Sequence, residues 1–297
     1  MTDSADIHGT ITKVIENKFL RLEYLVSAPR IVSLSFNGSP NIFADLGNVS
    51  LSTPYGDFYL RGGHRLWHSP ESMPRTYMPD VPGVTLSDLP AGVRIDQPAE
   101  PWTQIAKSLE IVVNPDKPQV IVRHELRNDG PWSVEFAPWA LSMFRLGGMG
   151  IFPQPVGNVD SYGLLANRQI SVWPYTKIND HRLVLRDDFI LVRAVLMPKA
   201  DPAFPPIKFG YFNPHGWMAY WLDGILFVKR FDPLPGESFP DGGCNSESYC
   251  NHQFIELETL GPLKLLSPES TFTHVETWEL YDSLDQPFLP ESIRALI

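Results

Sequence analysis

Alternation of apolar and polar residues over short runs, cut repeatedly by proline and glycine, is the feature that most limits what this chain can fold into. In residues 19–26, FLRLEYLV, the side chains of Leu20, Leu22, Tyr24 and Val26 fall on one face and those of Arg21 and Glu23 on the other, which is the pattern of a half-buried strand. Residues 119–127, QVIVRHELR, set Val120, Val122, His124 and Leu126 against Gln119, Ile121, Arg123, Glu125 and Arg127. Similar runs stand at 30–36, 105–113, 169–173, 183–196, 207–212, 218–230, 253–260 and 271–281, so more than a dozen strands are expected. The 29 Pro and 21 Gly punctuate the chain between them and leave little room for helices. Loops are expected at 70–95, 147–158 and 198–206, and a closing helix at 290–297, PESIRALI. No low-complexity linker, charge run or fixed-period repeat divides the 297 residues. The expectation is therefore one all-β domain over 1–297, a large sandwich of two antiparallel sheets with functional loops.

Charge and composition narrow the partners. Lys plus Arg number 24 and Asp plus Glu 34, for a net charge of −10. That sign opposes a phosphate backbone, so nucleic acid is not an expected partner. No apolar run reaches the roughly 18 residues of a membrane span, so no membrane partner is expected either. The two cysteines, Cys244 and Cys250, lie in a Gly/Ser/Asn-rich stretch, and no charged-then-apolar leader opens the chain at MTDSADIHGT. A reducing, cytoplasmic setting with two free thiols is expected, with a short-loop disulfide or a two-ligand zinc site as the alternatives.

Four places concentrate chemistry. In RGGHRLWHSPE, 61–71, two glycines permit a tight backbone that delivers Arg61, His64, Arg65, Trp67 and His68 within a few residues. Arg forks to oxygen pairs and Trp offers a flat apolar face, a mixture that suits a sugar; the same loop reads structurally as a plug for the sandwich end. A metal reading of H-x-x-x-H needs a helix, which Gly62, Gly63 and Pro70 oppose. In FIELETLGPL, 254–263, an extended strand puts Phe254, Glu256, Glu258 and Leu260 on one face. Two carboxylates roughly 6.5–7 Å apart beside apolar neighbours are expected to raise one another's pKa; otherwise their face points to water. FTHVETWEL, 272–280, aligns Phe272, His274, Glu276, Trp278 and Leu280, which reads either as a His–Glu pair inside the sandwich or as a catalytic pair. His124 reads as an interior histidine. Trp139, Trp173, Tyr175 and the stretch 239–251 complete the candidates. G-x-G-x-x-G, P-loop, G-x-S-x-G and paired C-x-x-C motifs are all absent, so nucleotide chemistry and serine hydrolysis lose their usual support.

The succession RGGHRLWHSPE, VRHELRNDGPWSVEFAPWALSMF and FIELETLGPLKLLSPESTFTHVETWEL resembles the galactose mutarotase-like (aldose 1-epimerase-like) superfamily, and more closely a bacterial branch of it. The resemblance spans most of the chain. It implies an antiparallel β-supersandwich with a carbohydrate groove on its concave face; no cofactor and no metal ligand are expected. In sugar mutarotases a late Glu in an L-E-T context takes the proton of the anomeric hydroxyl while a His protonates the ring oxygen. Glu258, in Leu257-Glu258-Thr259, stands where that base is expected, and His64 is similar to the His of the Gly-rich loop. Arg61, Arg65, Trp67, Trp139, Glu256 and His274 are then expected to bind substrate. One departure matters: Ala137 precedes Pro138-Trp139 where mutarotases carry His. Either His64 or His274 supplies the acid, or the protein binds sugar without mutarotating it; a polysaccharide lyase or hydrolase on the same scaffold is a further alternative.

Overall fold

A computed structural model describes residues 3–5, 10–197, 199–202, 204–282 and 293, the first three as backbone only. The expected closing helix at 290–297 lies outside the described residues except for Ile293.

Alternation becomes two antiparallel sheets. The larger has twelve strands, running from Asp3–Ala5 through Ile11–Glu16, Leu20–Leu25, Arg30–Phe36, Gly56–Ser69, Val134–Phe144, Ile255–Leu260, Ser246–Cys250 and Ile207–Tyr211 to Ile170–Val172. Asp45–Thr53 pairs with Gly56–Ser69, and Lys264–Leu266 with Val134–Phe144, off this path. The smaller has ten, in the order Leu183–Leu185, Phe189–Arg193, Met149–Pro153, Trp217–Leu222, Ile225–Phe231, Thr271–Tyr281, Gln119–Asn128, Ile105–Val113, Gly92–Gln97 and Thr85–Leu89. Helical structure among the described residues amounts to a 3₁₀ turn at Arg75–Tyr77, a four-residue turn at Pro240–Gly243 and the single residue Ile293. No helix there is long and apolar enough to cross a membrane.

The main core fills the space between the sheets. Leu22, Ile31 and Leu257 of the larger sheet meet Ile111, Val122 and Trp278 of the smaller in one buried cluster, the interdigitation expected of facing sheets about 10 Å apart. Residues opposite these on the larger sheet point away from the core, and a groove forms there.

Several expected boundaries move. The run 218–230 is a hairpin, because Asp223 and Gly224 both take positive φ (52° and 82°) and join Trp217–Leu222 to Ile225–Phe231, as a two-residue Asp-Gly turn does. The run 183–196 is likewise a hairpin, Leu183–Leu185 against Phe189–Arg193. Thr85–Leu89 and Met149–Pro153 are strands inside segments expected to be loops. Near Tyr24 the pairing with Arg30–Phe36 shifts by a residue, so Leu25, not Val26, is the buried neighbour of Tyr24. Cys244 and Cys250 are both buried free thiols.

Candidate functional site

The segment 61–68 is strand, not loop, and carries a sharp kink. Arg61, Gly62 and Gly63 have φ of 61°, 79° and 63°. A Cβ on Gly62 would lie 1.8 Å from the Ala44 carbonyl oxygen, and one on Gly63 1.9 Å from that of Ile31. Only glycine fits where the neighbouring strands press so close. Beyond the kink the pleat resumes: Arg65 and Trp67 join the outward face, while Leu66 packs between the sheets. Val134–Phe144 pairs Trp139 with Trp67 and Leu141 with Arg65, and Ile255–Leu260 pairs Glu258 with Leu141 and Glu256 with Met143. Parity thus places tryptophans, an arginine and two glutamates on one surface.

That surface floors a groove of about 670 Å³, a volume in the range of small-molecule sites. Trp67, Trp139, Trp173, Tyr175 and Tyr249 supply its aromatic lining. Trp67 and Trp139 meet edge to face, their ring centroids 5.2 Å apart. The Arg65 guanidinium lies 4.2 Å above the Trp67 ring centre and the Lys208 ammonium 4.5 Å above that of Trp139, close enough for cation–π attraction.

The charges beneath form two linked groups. Arg65 Nη2 donates to Glu256 Oε1 at 2.9 Å. Lys208 Nζ lies 3.4 Å from Glu258 Oε2 and 3.1 Å from Glu247 Oε2, and Trp139 Nε1 donates to Glu258 Oε2 at 2.8 Å. Glu247 and Glu258 are direct cross-strand partners. Three carboxylates thus face two cations. Burial pushes the Glu256 carboxyl up to about 7, with the charge of Glu258 adding to the rise and Arg65 opposing it. Burial likewise raises Glu247 well above the usual carboxylate range, against the pull of Lys208. Burial disfavours the Lys208 ammonium, but Glu258 and Glu247 outweigh it and hold that pKa well above the usual value. A carboxyl that exchanges its proton near neutral pH therefore lines the groove beside a lysine that stays charged.

Of the eight residues expected at the site, Arg65, Trp67, Trp139 and Glu256 line the groove together. Glu258 sits just beneath them, fully buried under Trp139 and Lys208. The other three lie elsewhere. Arg61, at the kink, donates to Thr10 Oγ1 and stacks on Tyr59. His64 follows the pleat inward, because neighbours along a strand face opposite sides of a sheet, and is separated from the groove as a candidate acid. His274 belongs to the smaller sheet and bonds Thr259 Oγ1 at 2.7 Å between the sheets. Among the described residues lining the groove there is no histidine, and Ala137 is itself fully buried. Lys208 escaped the sequence reading. Its signal was a single lysine between Ile207 and Phe209 in a strand that is buried throughout, since a lysine is rarely buried unless paired.

The inward-facing imidazoles assemble a second polar cluster. His64 Nε2 and His124 Nε2 are 2.7 Å apart, and His64 Nδ1 lies 2.8 Å from Ser142 Oγ. His124 Nδ1 donates to the His274 carbonyl at 3.0 Å. Glu276 accepts from Trp278 Nε1 at 2.8 Å and from Thr259 Oγ1, and pairs with Lys229 Nζ at 3.0 Å. Burial depresses all three histidines, His274 to about 3. Glu276 remains ionised in spite of its burial because the Lys229 ammonium favours its charge.

No family model matches the sequence, and no curated protein matches it either. Solved structures do match. A galactose mutarotase-like protein from Lactobacillus casei superposes with a TM-score of 0.58 at 11% identity, covering 91% of this chain and 100% of that one. This chain has the galactose mutarotase-like fold. A galactose mutarotase related enzyme from Lactobacillus acidophilus matches at a TM-score of 0.53 and 8% identity, over 94% of this chain and 100% of that one. A TPR-domain containing protein from Parabacteroides distasonis matches at 0.60 and 14% identity, over 95% of this chain but only 50% of its own length. Within the galactose mutarotase-like fold, the groove lies on the outer face of the larger sheet, and the histidine cluster lies in the space between the two sheets.

Proposed function

We propose that the groove binds a carbohydrate and that Glu256 exchanges protons with it, in an aldose 1-epimerase-like opening and reclosing of a sugar ring. The observation that carries this reading is the meeting, in one groove, of the Trp67 and Trp139 rings with a carboxyl poised at about pH 7. Sugar C–H faces stack on tryptophan while hydroxyls seek arginine and carboxylate. Ring opening needs a base at the anomeric hydroxyl and a donor at the ring oxygen. Glu256, half protonated near neutrality, is equipped to take or give that proton. The Lys208 ammonium supplies positive charge on the same floor, and Glu258, held by Trp139 and Lys208, adds to the rise that burial gives the Glu256 pKa.

Anomer exchange followed by NMR over a panel of aldoses and sugar phosphates tests this. Wild type is expected to accelerate exchange of at least one sugar, and Glu256→Gln to slow it by about 10²-fold or more. Equal rates for the two proteins contradict the catalytic reading. A non-catalytic carbohydrate-binding role is the second reading. It is favoured by the complete burial of Glu258 and by the lack of a histidine among the described groove-lining residues, and it predicts saturable binding with no acceleration.

A further inference from the structure

We propose that the interior between the sheets is a binding site for one divalent transition-metal ion, with His64 Nε2, His124 Nε2 and a carboxylate oxygen of Glu276 as ligands. One ligand atom from each of the three residues lies within 4.8 Å of the other two, the two Nε2 atoms are 2.7 Å apart, and all three residues are fully buried. The site is separate from the groove and does not depend on what the groove binds.

The hydrogen bonds fix how each ligand is presented. His124 Nδ1 faces a carbonyl, the His274 oxygen, at 3.0 Å and so must carry the proton; its Nε2 is then a bare lone pair. The 2.7 Å contact with His64 Nε2 is therefore a hydrogen bond donated by His64, and Ser142 Oγ donates to His64 Nδ1 at 2.8 Å. A metal ion takes the place of that bridging proton. His64 shifts its proton to Nδ1, where Ser142 Oγ accepts it, and both Nε2 atoms become ligands with no net proton change. Each imidazole is then anchored through its other nitrogen, as metal-bound histidines commonly are. The metal–nitrogen distance of roughly 2.0–2.1 Å in a tetrahedral site asks for about 3.3 Å between the two nitrogens, so the rings must part by about 0.6 Å. Glu276 Oε2 accepts one hydrogen bond, from Trp278, and a carboxylate oxygen has a second lone pair to offer. Two imidazoles and a carboxylate suit Zn²⁺ and its neighbours rather than Ca²⁺ or Mg²⁺.

Lys229 is the competitor. Its ammonium stands 3.0 Å from Glu276 Oε1 and repels an incoming cation, so the same carboxylate serves either lysine or metal. That competition makes the test specific. The full chain is refolded with Zn²⁺, freed of loose ions by gel filtration against a chelator, and its metal content measured; Co²⁺ replaces Zn²⁺ for absorption spectroscopy. The wild type is expected to retain about one Zn²⁺ per chain and to give the ligand-field bands of a site with nitrogen and oxygen donors. His124→Gln is expected to lose both. Lys229→Met, which leaves Glu276 without its cation, is expected to bind about tenfold more tightly or better, and Zn²⁺ is expected to restore the melting temperature that this substitution lowers. Should His124→Gln fail to fold, the comparison of wild type with Lys229→Met carries the test alone. Absence of retained metal in both of those proteins overturns the site, as does equal retention by a folded His124→Gln.

Discussion

Lys208 shows how a single side chain can decide the character of a site. It sits between Glu247 and Glu258, 3.1 and 3.4 Å from their oxygens, and over the Trp139 ring. All three charged groups are buried. Removing one partner of a buried pair leaves an uncompensated charge, which typically costs about 3–5 kcal/mol. Lys208→Met is therefore expected to lower stability by that order in chemical denaturation, and to lose less when Glu258→Gln accompanies it, because the second substitution removes the stranded carboxylate. Additive losses in the double variant would mean that the two residues do not interact. Glu256 is likewise one partner of a buried pair, and its substitution is expected to strand Arg65 and so to cost stability as well as proton exchange.

Among the elements, the Gly56–Ser69 strand controls which residues reach the groove. Its kink depends on two glycines whose missing Cβ atoms would strike backbone carbonyls. Gly63→Ala combines that collision with a left-handed φ of 63°, and a loss of about 2 kcal/mol or more is expected in equilibrium unfolding; an unchanged midpoint would mean that the neighbouring strands yield freely. The same element marks the boundary of what sequence reading can reach. In 254–260 the alternation is unbroken, so the shared face of Glu256, Glu258 and Leu260 and the inward turn of Leu257 were legible directly. In 61–68 the residues were legible as a cluster, but not their division between two faces, because Arg65 and Trp67 face out and His64 faces in only once the pleat has resumed beyond the kink. The shifted pairing at Tyr24 hid the burial of Leu25 for the same reason. The two-sheet class followed from strand-length alternation; the order of strands did not, since it is set by contacts distant in sequence such as Trp67 with Trp139 and Glu247 with Glu258.

For the molecule as a whole, buried ionisable groups set the pH range of the fold. His64, His68, His124 and His274 have pKa values lowered first by burial. Each contributes stability that is present above the unfolded value near 6.5 and is lost as pH falls below it. Glu247 and Glu256 act in the opposite sense, their pKa values raised by burial, so their contribution is present below about 4.5 and is lost as pH rises. Between about 4.5 and 6.5 the four histidines outnumber the two acids, so stability is expected to fall on acidification there; a flat profile would contradict neutral histidines between the sheets. On the other side of the larger sheet, aromatic rings and a titrating carboxyl share one groove. The most direct test of sugar binding there is a titration of intrinsic tryptophan fluorescence with a panel of mono- and oligosaccharides, for wild type and Trp67→Ala. A saturable change with at least one sugar, weakened at least tenfold in Trp67→Ala, is predicted; no saturable change with any sugar, or equal affinity in the two proteins, would contradict it.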